Sequence, residues 1–204
     1  YKNKLQCVAD TIDENSYVDV ICHNENLYFE ITNNQGKELK YGPASAQMYK
    51  DMLIYGNRLS TSATSIKTKF LKTYDLRFNE SNMFATVEDY DLWLKLAKHD
   101  AKFIFLKKSL GHYIVGDSNM ISDSNLFCKN LKNLLKIHAF DIQQFTEDKN
   151  KLWRLLDIRI EIVKLRFDQA SLIKKIIGIT KLIIKNPINS TRIIIGNLKT
   201  KFFN

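Results

Sequence analysis

Glu88-Asp89-Tyr90-Asp91-Leu92-Trp93-Leu94-Lys95-Leu96-Ala97 decides the fold of this chain. Leu92, Trp93, Leu96 and Ala97 recur at helical spacing and form one apolar face, so the segment is expected to be an amphipathic helix. Three carboxylates crowd its first turn, where the positive end of the helix dipole favours them, and Thr86 with Asp89 resembles a variant capping box. Those structural reasons account for acids here as a class, but helical geometry separates the acids from one another. Asp89 precedes Trp93 by four residues and Leu96 by seven, which puts it on the side of the buried stripe. Asp91 is expected on the wet side, paired with Lys95 at i, i+4. Asp89 is therefore the acid expected to face a cleft, where a general base must sit to reach a substrate hydroxyl.

Working outward, the flanking segments give an α/β pattern. Leu5, Val8, Ala9 and Ile12 predict a helix, and the apolar, β-branched run 17–22 predicts a buried strand. Residues 27–31 and 38–41 read as a hairpin around the turn composition Asn33-Asn34-Gln35-Gly36. Ser45 is placed to cap a helix through Met48, Tyr49, Met52 and Leu53, with Gly56 ending it. An extended Ser/Thr-rich segment follows at 57–65, and residues 102–106 predict another strand. The polar stretch 116–125 is expected to close the α/β part, giving a first unit at 1–125 and a helical, basic region at 126–204. In that region Leu131, Leu134, Leu135 and His138 form one stripe, and Leu152, Leu155, Leu156, Ile162 and Val163 form another. Pro187 should divide the tail in two.

The composition is that of an ordinary globular protein, with 45% hydrophobic and 26% charged residues in 204. Cys7, Cys22 and Cys128 lack zinc or redox spacing, which fits a reducing compartment. No apolar run approaches the roughly 18 residues that span a bilayer. The net charge of +9 is concentrated at 171–204, where Lys174, Lys175, Lys181, Lys185, Arg192, Lys199 and Lys201 occur without a single acid. Alternating with Ile173, Ile176, Ile177, Leu182, Ile183 and Ile184, these residues read either as an interfacial amphipathic helix on an anionic membrane or as a helix packed on its own domain. Nucleic acid is not the expected partner, since no recognition helix or aromatic RNA-binding motif is present.

Glu88-Asp89-Tyr90-Asp91-Leu92-Trp93-Leu94 resembles the acidic-aromatic motif of bacterial family 2 glycosyltransferases of GT-A type. Upstream, Asn57-Arg58-Leu59-Ser60-Thr61-Ser62 and then Tyr74-Asp75-Leu76-Arg77-Phe78-Asn79-Glu80 are similar to the family's segments in the same order. The resemblance covers about residues 1–122. It implies that Asp89 is the base of an inverting displacement, that Glu88 positions the acceptor, that Asn57 and Ser62 hydrogen-bond sugar hydroxyls, and that Trp93 supports the site from behind. It also implies a nucleotide-sugar donor and a saccharide or lipid-linked acceptor, in surface polysaccharide or lipopolysaccharide assembly at the cytoplasmic membrane face.

Two departures accompany it. The opening Tyr1-Lys2-Asn3-Lys4-Leu5 looks like the segment that follows the family's Asp-x-Asp stretch, so the chain is expected to be the C-terminal, acceptor-side half of the domain. The divalent cation (Mn²⁺ or Mg²⁺) of the full-length enzyme, and most donor contacts, would belong to the preceding half, with no metal expected in this segment. Further on, Leu110-Gly111-His112-Tyr113-Ile114-Val115-Gly116 resembles the family's Tyr-Arg-x-His stretch but lacks its metal-contacting histidine; His112 occupies a neighbouring position and is not counted as a metal site. The alternative is a non-enzymatic membrane-surface or partner-binding protein in which the acidic helix start is only a cap.

Overall fold

The structure, a computed structural model, describes residues 1–116, 123–142, 148–167 and 172–202, with side chains described up to residue 195. Its centre is a four-stranded mixed sheet. The long strand β1 (Val20–Phe29) pairs in parallel along one edge with β4 (Phe103–Val115). Its other edge is shared by β3 (Thr64–Ile66), antiparallel to 20–22, and β2 (Asn34–Leu39), antiparallel to 25–29. Strand alternation sends successive side chains to opposite faces, and the two faces carry different cores. Ile21, Ile104 and Leu106 meet Val8 of helix α1 (Lys4–Glu14) on one side. Val20, Cys22, Phe103 and Phe105 meet the main core on the other.

That main core is built by α2 (Met48–Tyr55), α4 (Glu88–Lys98), α5 (Ser124–Ile137) and α6 (Lys149–Phe167), with a short α3 (Thr68–Thr73) at its margin. The helices α7 (Leu172–Lys185) and α8 (Pro187–Phe202) follow. Pro187 starts α8 as its first residue, where its missing N–H costs nothing. The stripes expected on α5 and α6 are buried: Leu134, Leu135 and Leu156 have no exposure. The change expected after residue 125 falls at the start of α5, whose N-cap Asp123 accepts from the Asn125 and Leu126 amides at 2.9 Å. It is not a break in the core, because α5, α6 and Ile193 of α8 join the same cluster as the sheet. The rest of the expected closing loop, 117–122, lies outside the described residues.

Several local expectations are corrected. The strand expected at 17–22 and the first hairpin strand are one element, β1, and the turn is 30–33, with Asn34 and Gln35 already paired to Phe29 and Tyr28. The second hairpin strand ends at Leu39, and Tyr41 beyond it lines the groove described below. Neither side-chain cap forms. Gln47 precedes α2 and the Ser45 hydroxyl is buried without a partner among the described residues, while Val87 precedes α4 without a side-chain cap and Thr86 has φ 71°. Gly56 does end α2, at φ 121°.

The helix α4 has no wet side. Tyr90, Asp91, Leu92, Trp93, Leu94 and Leu96 are at most 3% exposed, because α2 packs against it and His138, in the π-helical turn His138–Ile142 that follows α5, contacts it. Asp91 therefore keeps its expected partner Lys95, at 2.5 Å, but inside the protein. Its other oxygen is 2.9 Å from His138 Nε2, and His138 Nδ1 meets the Tyr49 hydroxyl at 3.0 Å.

Candidate functional site

The segment 57–63 crosses the sheet where β3 gives way to β2 and is held at several points. The Asn57 side chain accepts from the Leu59 amide at 3.0 Å, an Asx turn that starts the crossing. The Ala63 carbonyl accepts from the His23 amide at 3.2 Å. Ser62 donates to Glu25 at 2.7 Å, Ser60 and Ser62 share a hydrogen bond of 3.1 Å, and Lys4 donates to the Ser62 carbonyl at 2.8 Å. Glu25, 1% exposed on β1, also accepts from the Tyr41 hydroxyl at 2.9 Å. Nothing in the local sequence marks Glu25 as functional; its role as the anchor of the hydroxyl-rich segment depends on pairings 16 and 37 residues away.

This segment forms one wall of a groove of about 800 Å³. The groove is also lined by the start of α4, with Glu88 and Asp89, and by the far end of β4, with Tyr113 and Ile114. The β1–β4 register shifts twice, between His23 and Asn24 and between Asn24 and Asn26, and such bulges re-aim the strand that carries them.

Four of the five residues singled out from the sequence, Asn57, Ser62, Glu88 and Asp89, line this groove. Asp89 Oδ1 accepts from the Tyr90 amide at 2.6 Å and Oδ2 from Thr61 Oγ1 at 3.1 Å. Burial pushes its carboxyl pKa above the ordinary value against those hydrogen bonds, with a smaller push from the Glu88 charge. Glu88 Oε2 is shielded from solvent without a hydrogen-bond partner among the described residues. The Ser62 hydroxyl is already committed to Glu25 and Ser60, so it shapes the wall before it can meet a ligand. Trp93 is 1% exposed, packed edge-on to Phe78, and does not reach the groove. His112 lines the groove but is held by the Tyr1 hydroxyl at 3.2 Å and stacked on Tyr28.

A second pocket, of about 420 Å³, adjoins the groove and shares Tyr41, Asn57 and Asp89 with it. It opens toward α6 and carries Arg58, Arg159 and Arg166. Arg159 is a residue the sequence did not single out. Its guanidinium donates to the Leu53 carbonyl at 2.6 Å and the Tyr90 hydroxyl at 2.9 Å, capping the C-terminal end of α2 and fixing the ring next to Asp89. Only its place in the apolar face of α6 signalled that it would be buried.

Among the described residues no group of three or more His, Cys, Asp or Glu side chains is arranged to hold a metal ion. No protein-family model, curated protein or solved structure matches this chain. The fold itself is mixed α/β.

Proposed function

We propose that this chain is the acceptor side of a GT-A type glycosyltransferase, with Asp89 as the general base of an inverting sugar transfer. The observation that carries the reading is the setting of Asp89: a partly desolvated carboxylate with a raised pKa, on the wall of a groove faced by hydroxyl groups and lined by Glu88. A carboxylate of raised basicity is better suited to accept a proton near neutral pH. In the step proposed, Asp89 takes the proton of the acceptor hydroxyl while that oxygen bonds to the anomeric carbon of the donor. The bond from that carbon to the nucleotide diphosphate breaks, and its electron pair leaves with the diphosphate. Glu88 helps position the acceptor beside Asp89, Asn57 lies where groove and pocket meet, and Trp93 packs behind the helix start. The donor, and any Mn²⁺ or Mg²⁺ that supports its departure, belongs in this reading to a preceding half, and no step here is routed through the metal.

The test is Asp89→Asn in a full-length enzyme. Folding and donor binding should persist while turnover falls at least about 100-fold, the usual scale of lost acid-base catalysis. Near-normal turnover overturns the assignment.

A membrane partner belongs to the same proposal. Among the described residues no helix is long and apolar enough to cross a membrane, but α7 exposes Leu172, Ile173, Ile176, Ile177 and Ile184 beside Lys174, Lys181 and Lys185. That pattern suits a helix lying in an anionic interface, which would bring a lipid-linked acceptor near Asp89.

A further inference from the structure

The pocket beside Asp89 has an uneven charge. Four cations line it, Lys40, Arg58, Arg159 and Arg166, against Asp89 as the carboxylate on its wall. Two of the four have a structural account. Arg58 is 3.5 Å from Asp51 and donates to the Pro43 carbonyl at 2.9 Å, and Arg159 serves the carbonyls at the end of α2. Even so, Arg58 Nε is buried on the pocket wall without a partner among the described residues. Arg166 and Lys40 make no side-chain hydrogen bond or ion pair within the described residues, although Lys40 lies near enough to Glu38 to feel its charge. Desolvation and then the neighbouring Arg159 cation lower the Arg166 pKa, and no carboxylate offsets them. An exposed guanidinium, Arg166, that is repelled by the buried Arg159 in the wall beneath it, beside a third guanidinium with an unused donor, is an arrangement that an oxyanion relieves.

We propose that this pocket is an anion site that takes a phosphate monoester or inorganic phosphate, held by Arg166 and Lys40 over the Arg58 and Arg159 wall. The two unpartnered cations match the charge of a phosphate monoester, about −1.5 to −2 near pH 7. Because the pocket shares Asp89 with the groove, a phosphate bound there fixes one end of an acceptor whose hydroxyl reaches the Asp89 carboxylate. The substrate class is thus a phosphate-bearing acceptor, and this step rests on the role proposed for Asp89.

Inorganic phosphate titrated into the 204-residue chain, followed by amide NMR, tests the site directly. Saturable shifts are expected at Gly42, Gly56 and Val163, which line the pocket. Arg166→Gln should weaken binding at least tenfold, with Arg166→Lys recovering part of it, and Lys40→Gln should weaken it severalfold. Lys108→Gln, exposed on β4 and outside the pocket lining, should leave it unchanged. The Arg166 side chain makes no hydrogen bond or ion pair among the described residues, so its variants are expected to fold, and their amide spectra check this. Vesicles containing a lipid with a terminal phosphate monoester, compared with vesicles of a diester lipid at equal charge, distinguish the source. Arg166-dependent preference for the monoester vesicles points to a lipid-borne phosphate, and response to free phosphate alone points to a soluble one. Binding that is equal in Arg166→Gln and wild type, or shifts confined to α7, overturns the anion site. That outcome is separable from the base assignment, which stands or falls on the turnover of Asp89→Asn.

Discussion

Two aspartates separated by one residue have opposite fates. Asp89 lies at the groove with a raised pKa, so its folded-state value exceeds its unfolded one. A carboxyl shifted this way costs stability once the pH passes the unfolded value near 3.8, because the unfolded chain releases the proton more readily. Asp89→Asn should therefore hold or slightly raise the melting temperature at neutral pH while abolishing turnover, a divergence that a scan of both properties will show. Asp91 is fully buried between Lys95 and His138. Asp91→Ala leaves the buried His138 imidazole and the Lys95 ammonium without their acceptor, so it should lose about 1–3 kcal/mol in urea unfolding. Burial, partly opposed by Asp91, holds the His138 pKa below its ordinary 6.5. The stabilising contribution of its neutral form is complete above pH 6.5 and declines as the pH falls below it, since the unfolded imidazole then takes up the proton first. Stability measured between pH 7.5 and 5 should fall toward acid, and His138→Gln should flatten the part of that slope that His138 causes.

At the scale of elements, the groove depends on how the connection 40–43 meets the sheet. Gly42 has φ 90°, its amide donates to the Arg58 carbonyl at 3.0 Å, and a Cβ there would stand 2.6 Å from Cγ of Phe105 on β4. A side chain at Gly42 is opposed both by backbone conformation and by a ring that is itself packed into the main core. Gly42→Ala should cost about 1–3 kcal/mol, the range of overpacking, and shift Lys40 and Tyr41, which chemical denaturation and the amide spectrum will report together. The helix α7 is joined to α6 in a related way, since a Cβ on Gly178 would come 2.8 Å from the Leu165 side chain. That close approach turns one side of α7 inward, where Leu182 packs on the main core, and leaves the isoleucine stripe outward.

For the whole molecule, the basic tail is two different things. Arg192 of α8 reaches the Tyr55 hydroxyl at 3.2 Å and Ile193 is fully buried, so α8 belongs to the body. In the proposed membrane reading the attachment surface is therefore α7, and cutting the tail away would expose core. The discriminating variants are Ile173→Ser with Ile177→Ser, and Lys174→Gln with Lys181→Gln, in vesicle cosedimentation. Each basic residue near an anionic surface contributes about 1 kcal/mol, so the double lysine change should lower binding several-fold or more. Salt should weaken it too, over a Debye length of about 8 Å at physiological ionic strength. Indifference to anionic lipid would leave α7 as ordinary domain surface. Calorimetry of the same chain with nucleotide sugars and Mn²⁺ should show no micromolar binding, because no glycine-rich phosphate loop is present and the one Asp-x-Asp spacing, Asp89-Tyr90-Asp91, has Asp91 fully buried.

Local pattern determined a good deal by itself. The 3.6-residue spacing placed helices at α1, α2, α4, α5 and α6, alternation and β-branching placed β1 and β4, and Pro187 divided α7 from α8. Helical phase alone brought Asp89 to the side of the apolar stripe, and Asn57, Ser62 and Glu88 were nominated from one motif order and line one groove. What periodicity cannot supply is the identity of the layer that covers a helix. Asp91 lies opposite Asp89 on α4 and would have been wet on a two-layer fold; His138, 47 residues on, made it buried. Glu25 under the hydroxyl segment and Arg159 at the end of α2 are likewise set by partners 37 and 106 residues away. Burial of a polar side chain is tolerated only where distant groups satisfy it, so tertiary packing decided which charges are structural and which remain free at the site.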